Sequence, residues 1–331
     1  MAVSVREVAE DAGVSVGTVS NVLNRPERVS ADTVARVHAA IERLGYVRND
    51  AARQLRAGRS RTIGLVVLDI RNPFFAEVVR GAEGRAEEHG RSVLVANSDE
   101  KAEREATHLA LFEEQRVSGV LITPVGDATP LLGRMHQRGI PSVLVDRRSS
   151  DPRFASVSVD DGEGGRIAAA HLLSLGRRRL AFVGGPLTLP QVSDRLSGAQ
   201  SAAAEAGAAI EFLATRALTV EEGRRAGELL LQRAPAERPD GVFAANDLVA
   251  LGILQSMVMT GGARVPEDLA LIGYDDIDFA AAAVIPLSSV RQPASLIGAT
   301  AVDLLLGEGE GLAEPVRYRP ELVVRASTTG R

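Results

Sequence analysis

The strongest constraint in this 331-residue sequence is an alternation that begins at Thr62. Apolar runs TIGLVVL (62–68), SVLVA (92–96), GVLIT (119–123), PSVLV (141–145), SVSV (156–159), LAFVG (180–184), GVFAA (241–245) and LALIG (269–273) recur along the chain. Segments with helical periodicity separate them, near 74–89, 102–116, 163–175, 193–206, 220–233, 247–260 and 294–306. Continuous apolar strands alternating with helices predict parallel sheets covered on both faces. About 270 residues are too many for one small core, so the pattern predicts a two-lobed α/β body over 62–331. Lobe 1 is expected over about 62–160 plus 291–320, and lobe 2 over about 161–290 plus 321–331.

The first 45 residues have another rhythm. Ser4 and Glu7 have capping-box spacing, and Val5, Val8, Ala9 and Ala12 share a helical face that Gly13 ends. Ser15 can cap a second helix with Val19, Val22 and Leu23 inward. Ser30 can cap a third, with Val34, Val37, Ile41 and Leu44 inward and Gly45 at its end. Two short helices joined by a Gly-containing turn predict a helix-turn-helix over residues 1–47. Residues 48–61 contain one short amphipathic stretch, 50–56, then Ala-Gly-Arg-Ser-Arg, and read as a linker with a marginal helix.

Charge follows the same division. The chain carries a net −5, but residues 1–61 hold ten arginines against seven acids, whereas 62–331 hold 28 basic against 36 acidic groups. A basic head on an acidic body confines any nucleic-acid contact to the head and linker. There is no cysteine, which excludes disulfides, thiolate metal sites and cysteine nucleophiles. No apolar run approaches a membrane span and the N-terminus lacks a signal-peptide core, so a cytoplasmic location and no membrane partner are expected.

Enzyme motifs fail on context. Gly13-Val14-Ser15-Val16-Gly17 is a literal G-x-S-x-G, but a nucleophile elbow needs a strand before it, and a helix is expected there. Asp161-Gly162-Glu163-Gly164-Gly165 lacks dinucleotide-loop spacing because Ile167 takes the last glycine position. The five histidines have no metal-ligand spacing, and Lys101, the single lysine, is in no phosphate loop. No catalytic residue, metal or cofactor is assigned.

The order of head, linker and two-lobed body resembles the LacI/GalR (lactose/galactose repressor) family of bacterial transcription regulators. The head motifs are VREVAEDAGVSVGTVSNVLN (5–24) and VSADTVARVHAAIERLGYVRNDAARQLRAG (29–58). In the body they are IGLVVLDIRNPFFAEVVRGAE (63–83), VDRR (145–148), FAANDLVALG (243–252), LIGYDDIDFA (271–280), VRQP (290–293) and ELVVRAST (321–328). The body is also similar to sugar-binding periplasmic proteins of the ribose type.

The resemblance implies a homodimeric repressor that reads a pseudo-palindromic operator on double-stranded DNA and is controlled allosterically by a small effector. Base-reading positions fall on Val16, Gly17 and Asn21. Asn21 suits an adenine edge and Val16 a thymine methyl. Thr18 and Ser20 match phosphate contacts, with Ser15 and Asn24 completing that face. The linker matches the family's hinge helix: Leu55 falls on its minor-groove wedge, Ala52 on a close-approach position, and Arg53 and Arg56 beside phosphates.

For the effector, the resemblance points to Asn72, Phe74, Phe75, Asp146, Arg147, Arg195, Asn246, Asp275 and Gln292. Carboxylates, guanidinium groups and amides suit the donor-and-acceptor hydroxyls of a sugar, and phenyl faces suit its C–H side. Leu218 stands where the ribose-type pattern has a further aromatic. A purine or nucleoside effector, or control by a protein partner as in the catabolite-control branch, are the alternatives to a sugar.

Overall fold

A computed structural model describes residues 3–46, 60–307 and 315–330. It divides into a unit ending at Ser60 and a unit beginning at Arg61.

In the first unit, helices Val5–Asp11, Val16–Asn24 and Ala31–Leu44 form where the caps predict them. Ser4 and Glu7 cap each other, the Ser4 N–H donating to Glu7 Oε2 at 2.6 Å. Ser15 Oγ accepts from the Thr18 N–H at 3.1 Å, and Gly45 closes the third helix at φ +62°. Val8, Ala9, Ala12, Val19, Val22, Val37 and Ala40 make the buried core, with Val5, Leu23, Val34, Ile41 and Leu44 packed around it. Arg43 pairs with Asp11 and ties the third helix to the first.

The second unit contains two six-stranded sheets. One runs, in spatial order, Val316–Tyr318, Ala155–Val159, Ser142–Val145, Gly119–Ile122, Thr62–Val67, Ser92–Asn97. The other runs Glu321–Val323, Ser288–Arg291, Ala270–Asp275, Gly241–Ala244, Arg179–Gly184, Ala209–Ala214. All pairings are parallel except Ser288–Arg291 with Glu321–Val323. Central strands such as Gly119–Ile122 and Ala270–Asp275 are buried at every residue, as sheets covered on both faces require. Strand order reverses beside Thr62–Val67 in the first sheet and beside Arg179–Gly184 in the second. Loops at the carboxyl ends of such strands splay apart and leave a crevice.

Helix boundaries differ from the periodicity in a systematic way. Helices begin at Pro73, Asp161 and Pro190, one to three residues earlier than the apolar pattern alone suggests: proline is suited to a first helical turn and adds no apolar signal, and the Asp161-Gly162 start of the second adds none either. Helix Thr129–Gln137 and edge strand Ala209–Ala214 are additional elements. The helix interrupts its apolar stripe with Gly133, Arg134 and His136, and the strand is exposed or half-buried throughout, so neither carries a strong apolar signature.

Close helix contacts depend on glycine. A Cβ at Gly198 would lie 1.8 Å from the Gly162 carbonyl oxygen, and one at Gly165 would lie 1.9 Å from that of Arg195. Helices Asp161–Ser174 and Pro190–Glu205 therefore touch backbone to backbone. Gly198→Val should separate them and destabilise the body by about 1–3 kcal/mol or more. A lowered urea midpoint is the expected observation, and an unchanged one would contradict this packing.

Candidate functional site

The loops at the carboxyl ends of both sheets enclose a cavity with an empty volume of about 480 Å³, counting space open to solvent. Eight of the nine residues expected at an effector site line it: Asn72, Phe74, Phe75, Asp146, Arg195, Asn246, Asp275 and Gln292. Arg147 is not among the lining residues. It follows Asp146, whose φ of +55° turns the chain just past the strand end, and the Arg147 Nη1 is buried without a hydrogen-bond partner.

Local structure explains how each group is held. Asn72 precedes helix Pro73–Glu88; its Oδ1 accepts from the Phe74 N–H at 3.0 Å, which leaves Nδ2 to donate to Asp275 Oδ2 at 3.0 Å. That bond joins the ends of the two sheets. Phe74 and Phe75 meet edge to face, with centroids 5.0 Å apart. Asn246 repeats the capping device: Oδ1 accepts from the Val249 N–H at 2.9 Å and Nδ2 donates to the Leu218 carbonyl. Gln292 Nε2 donates to Asp275 Oδ1 at 2.7 Å.

Arg195, only 4% exposed, anchors the floor. Its Nε donates to Asp161 Oδ1 at 2.7 Å, its Nη1 donates to the Ala245 carbonyl at 2.8 Å, and its guanidinium lies 3.6 Å from the Tyr274 ring centroid. Asp275 is 3.9 Å from the same guanidinium. Burial pushes the Asp275 carboxyl above its ordinary range, while Arg195, Asn72 and Gln292 oppose the rise. Asp146, Asp275 and Asp276 all have φ between +53° and +102°. Such backbone costs about 1–3 kcal/mol per residue and collects where side chains must be aimed.

Asp146 has the most perturbed acid–base behaviour with a definite value. Burial, reinforced by Asp161 and Asp275 and opposed by Arg195 and Gln191, pushes its carboxyl up to about 8. A carboxyl raised in the folded state holds a proton that the unfolded chain has already released, so stability falls as pH rises from about 4 towards 8 and levels off above it. Asp146→Asn should flatten that decline, as measured by urea unfolding at several pH values. An unaltered slope would contradict a buried, protonated Asp146.

Several lining residues carry no motif signal. Gln191 donates from Nε2 to the Asp146 carbonyl at 2.8 Å and to Asp146 Oδ2 at 3.0 Å, bridging the ends of the two sheets opposite Asn72. Leu68, Leu189, Val192 and Leu218 complete the apolar wall, and Asp69 and Glu100 add carboxylates. Leu218 lines the cavity, and Phe74 and Phe75 are the aromatic side chains among the described lining residues. Asp161 belongs to the site through Arg195. Asp276 is held by Arg291 and Arg325 at 2.7 and 2.6 Å, a structural clamp. Asp247 is fully buried, accepts from Ser289 Oγ and the Ile277 N–H, and is raised well above its ordinary range by burial.

In the first unit, helix Val16–Asn24 presents Val16 (39% exposed), Gly17, Asn21 and Asn24 to solvent, with Val19 and Val22 inward. Ser15 Oγ and Thr18 Oγ1 are 2.9 Å apart, and Asn24 Nδ2 donates to the Ser20 carbonyl at 2.8 Å, so polar groups at both helix ends are pre-set. A helix, Val5–Asp11, precedes Gly13–Gly17, which removes the nucleophile-elbow geometry. Ala52, Arg53, Leu55 and Arg56 lie outside the described residues.

Residues 4–49 match the bacterial regulatory proteins, lacI family, and residues 169–328 match a periplasmic binding protein-like domain. The chain is 34% identical to the ribose operon repressor of Bacillus subtilis (strain 168), over 98% of each chain. It is 31% identical to the HTH-type transcriptional repressor PurR of Aliivibrio fischeri (strain MJ11), over 99% of each. Among solved structures, the Lac repressor dimer bound to operator and the anti-inducer ONPF aligns with a TM-score of 0.84 at 29% identity, covering 99% of each chain. A LacI family transcriptional regulator from Enterococcus faecium with bound ribose aligns at 0.74 and 30% identity, covering 81% of this chain and 98% of that one.

Proposed function

Because the chain belongs to the LacI family of bacterial DNA-binding regulators, which are not enzymes, we propose that it is a dimeric repressor whose operator affinity is set by a sugar bound between its two sheets. One observation carries the effector reading. Asp146 Oδ1 and Gln292 Oε1 are buried polar atoms without partners on residues that line the cavity, the first a donor while its carboxyl holds its proton and the second an acceptor. Buried polar groups left unpaired are costly, and a polyol can answer both kinds with one functional group, the hydroxyl. Phe74 and Phe75 supply the apolar face. Calorimetric titration with a panel of pentoses and hexoses tests this, D-ribose first because of the ribose operon repressor relative. Binding that Gln292→Ala weakens is expected, and absence of binding by every sugar would contradict it. The similarity to PurR gives a purine a specific claim, so hypoxanthine and guanine belong in the panel.

On the DNA side, we read Val16 and Asn21 as base-facing and Ser15, Thr18, Ser20 and Asn24 as setting register on phosphates, with Gly17 leaving the groove open. Two copies would meet two half-sites related by the dimer axis. Leu55, carried over as a minor-groove wedge, gives a separate prediction. Leu55→Ala should weaken specific operator binding roughly tenfold or more while affecting non-specific DNA less, since wedging trades unstacking for a bent operator. Equal losses on both, in anisotropy titrations, would contradict the wedge.

A further inference from the structure

The charge balance of the cleft narrows its ligand class. Asp69, Glu100 and Asp275 line the cavity beside Asp146, which burial keeps protonated, and Arg195 is the one cation among the lining residues. Arg195 is already engaged by Asp161, and Asp69 is matched by Arg71 at 2.9 Å. The Glu100 carboxylate, partly buried beside Asp69 and Asp99, has no ion-pair or hydrogen-bond partner among the described residues. The unpartnered buried Oε1 of Gln292 is an acceptor, so it asks for a ligand that donates, which a phosphate dianion does not do.

Among the described residues, three helix N-termini at this cleft are poorly set for an oxyanion. Helix N-termini bind phosphate through free N–H groups. Here the Phe74 and Val249 N–H groups are taken by Asn72 and Asn246, and helix Pro190–Glu205 opens on a proline. Arg147 lies outside the lining, with Asp127 and Asp194 sharing its field.

We propose that the effector is an unphosphorylated sugar, and that Glu100, with Asp69 beside it, excludes phosphorylated sugars from the cleft. This rests on the sugar reading above and deepens it. Like charges brought together in a site act as a filter against the wrong ligand. The regulator then senses a sugar before, and not after, the kinase reaction that transfers a phosphoryl group to it. A kinase acting on that sugar removes the signal.

The test is calorimetric titration of the full chain with matched pairs, D-ribose against D-ribose 5-phosphate and D-glucose against D-glucose 6-phosphate. The parent sugar of the recognised pair should bind at least ~100-fold more tightly than its phosphate. Glu100→Gln, which keeps the shape and removes the charge, should narrow that gap by roughly tenfold. Asp69→Asn, a second variant, should narrow it less because Arg71 already offsets Asp69. A phosphate that binds as tightly as its parent, or a gap that both variants leave unchanged, overturns the proposal alone. A folded protein that binds neither member of any pair overturns the sugar reading and this proposal together.

Discussion

Arg195→Met should destabilise the body by about 3–5 kcal/mol, the range for removing one partner of a buried ion pair. The substitution leaves Asp161 buried without its cation and the Ala245 carbonyl without its donor, and it removes the guanidinium stacked on Tyr274. Both side chains of the pair are nearly inaccessible, so water cannot replace what is lost. Arg195→Met combined with Asp161→Leu should cost less than Arg195→Met alone, because the uncompensated charge disappears with its partner. Urea unfolding of the three variants measures this. A single-variant loss below about 1 kcal/mol would place the pair among exposed bridges of little consequence and contradict the buried geometry.

Asp275→Ala should reduce effector affinity by about 100-fold or more, in the range for truncating one partner of a buried hydrogen-bonded charge pair. Asp275 accepts from Asn72 across the cleft and from Gln292, and it faces Arg195. Without it, two amide donors lose their acceptor and the bond joining the ends of the sheets is gone. The variant should still bind operator and lose the response to sugar. The head is a separate unit with its own core, Val8 to Ala40, so DNA-reading side chains are untouched. A variant that responds to the same sugar at the same concentration would contradict the placement of Asp275 in the site.

The readability of the fold from sequence followed burial. Strands such as Thr62–Val67 and Ala270–Asp275 have continuous apolar stretches over 63–67 and 270–274 because helices cover both faces, and Ser4, Ser15 and Ser30 announce helices by capping chemistry that acts over three residues. Ala209–Ala214 lies at a sheet edge, where exposure relaxes the need for apolar residues, and so it carried no comparable pattern. The cleft divides in the same way. Asn72 and Asn246 were legible because they sit in motifs and also cap helices, so one residue serves fold and site. Gln191, Leu189 and Glu100 reach the cavity only through tertiary placement. Arg147 illustrates the opposite case: adjacent in sequence to Asp146, it is sent elsewhere by a left-handed turn at the strand end. Total charge was a poor guide to nucleic-acid binding, since an acidic body masks the basic head.

The most direct test of the central claim is fluorescence anisotropy of a labelled pseudo-palindromic DNA fragment from upstream of the protein's own gene, titrated with the full chain with and without the sugar that calorimetry identifies. Coupling between two sites on one two-state protein is typically worth about 1–3 kcal/mol, so the account predicts a shift in operator affinity of roughly tenfold with sugar, absent in Asp275→Ala. Operator affinity that stays the same with and without the bound sugar would contradict it.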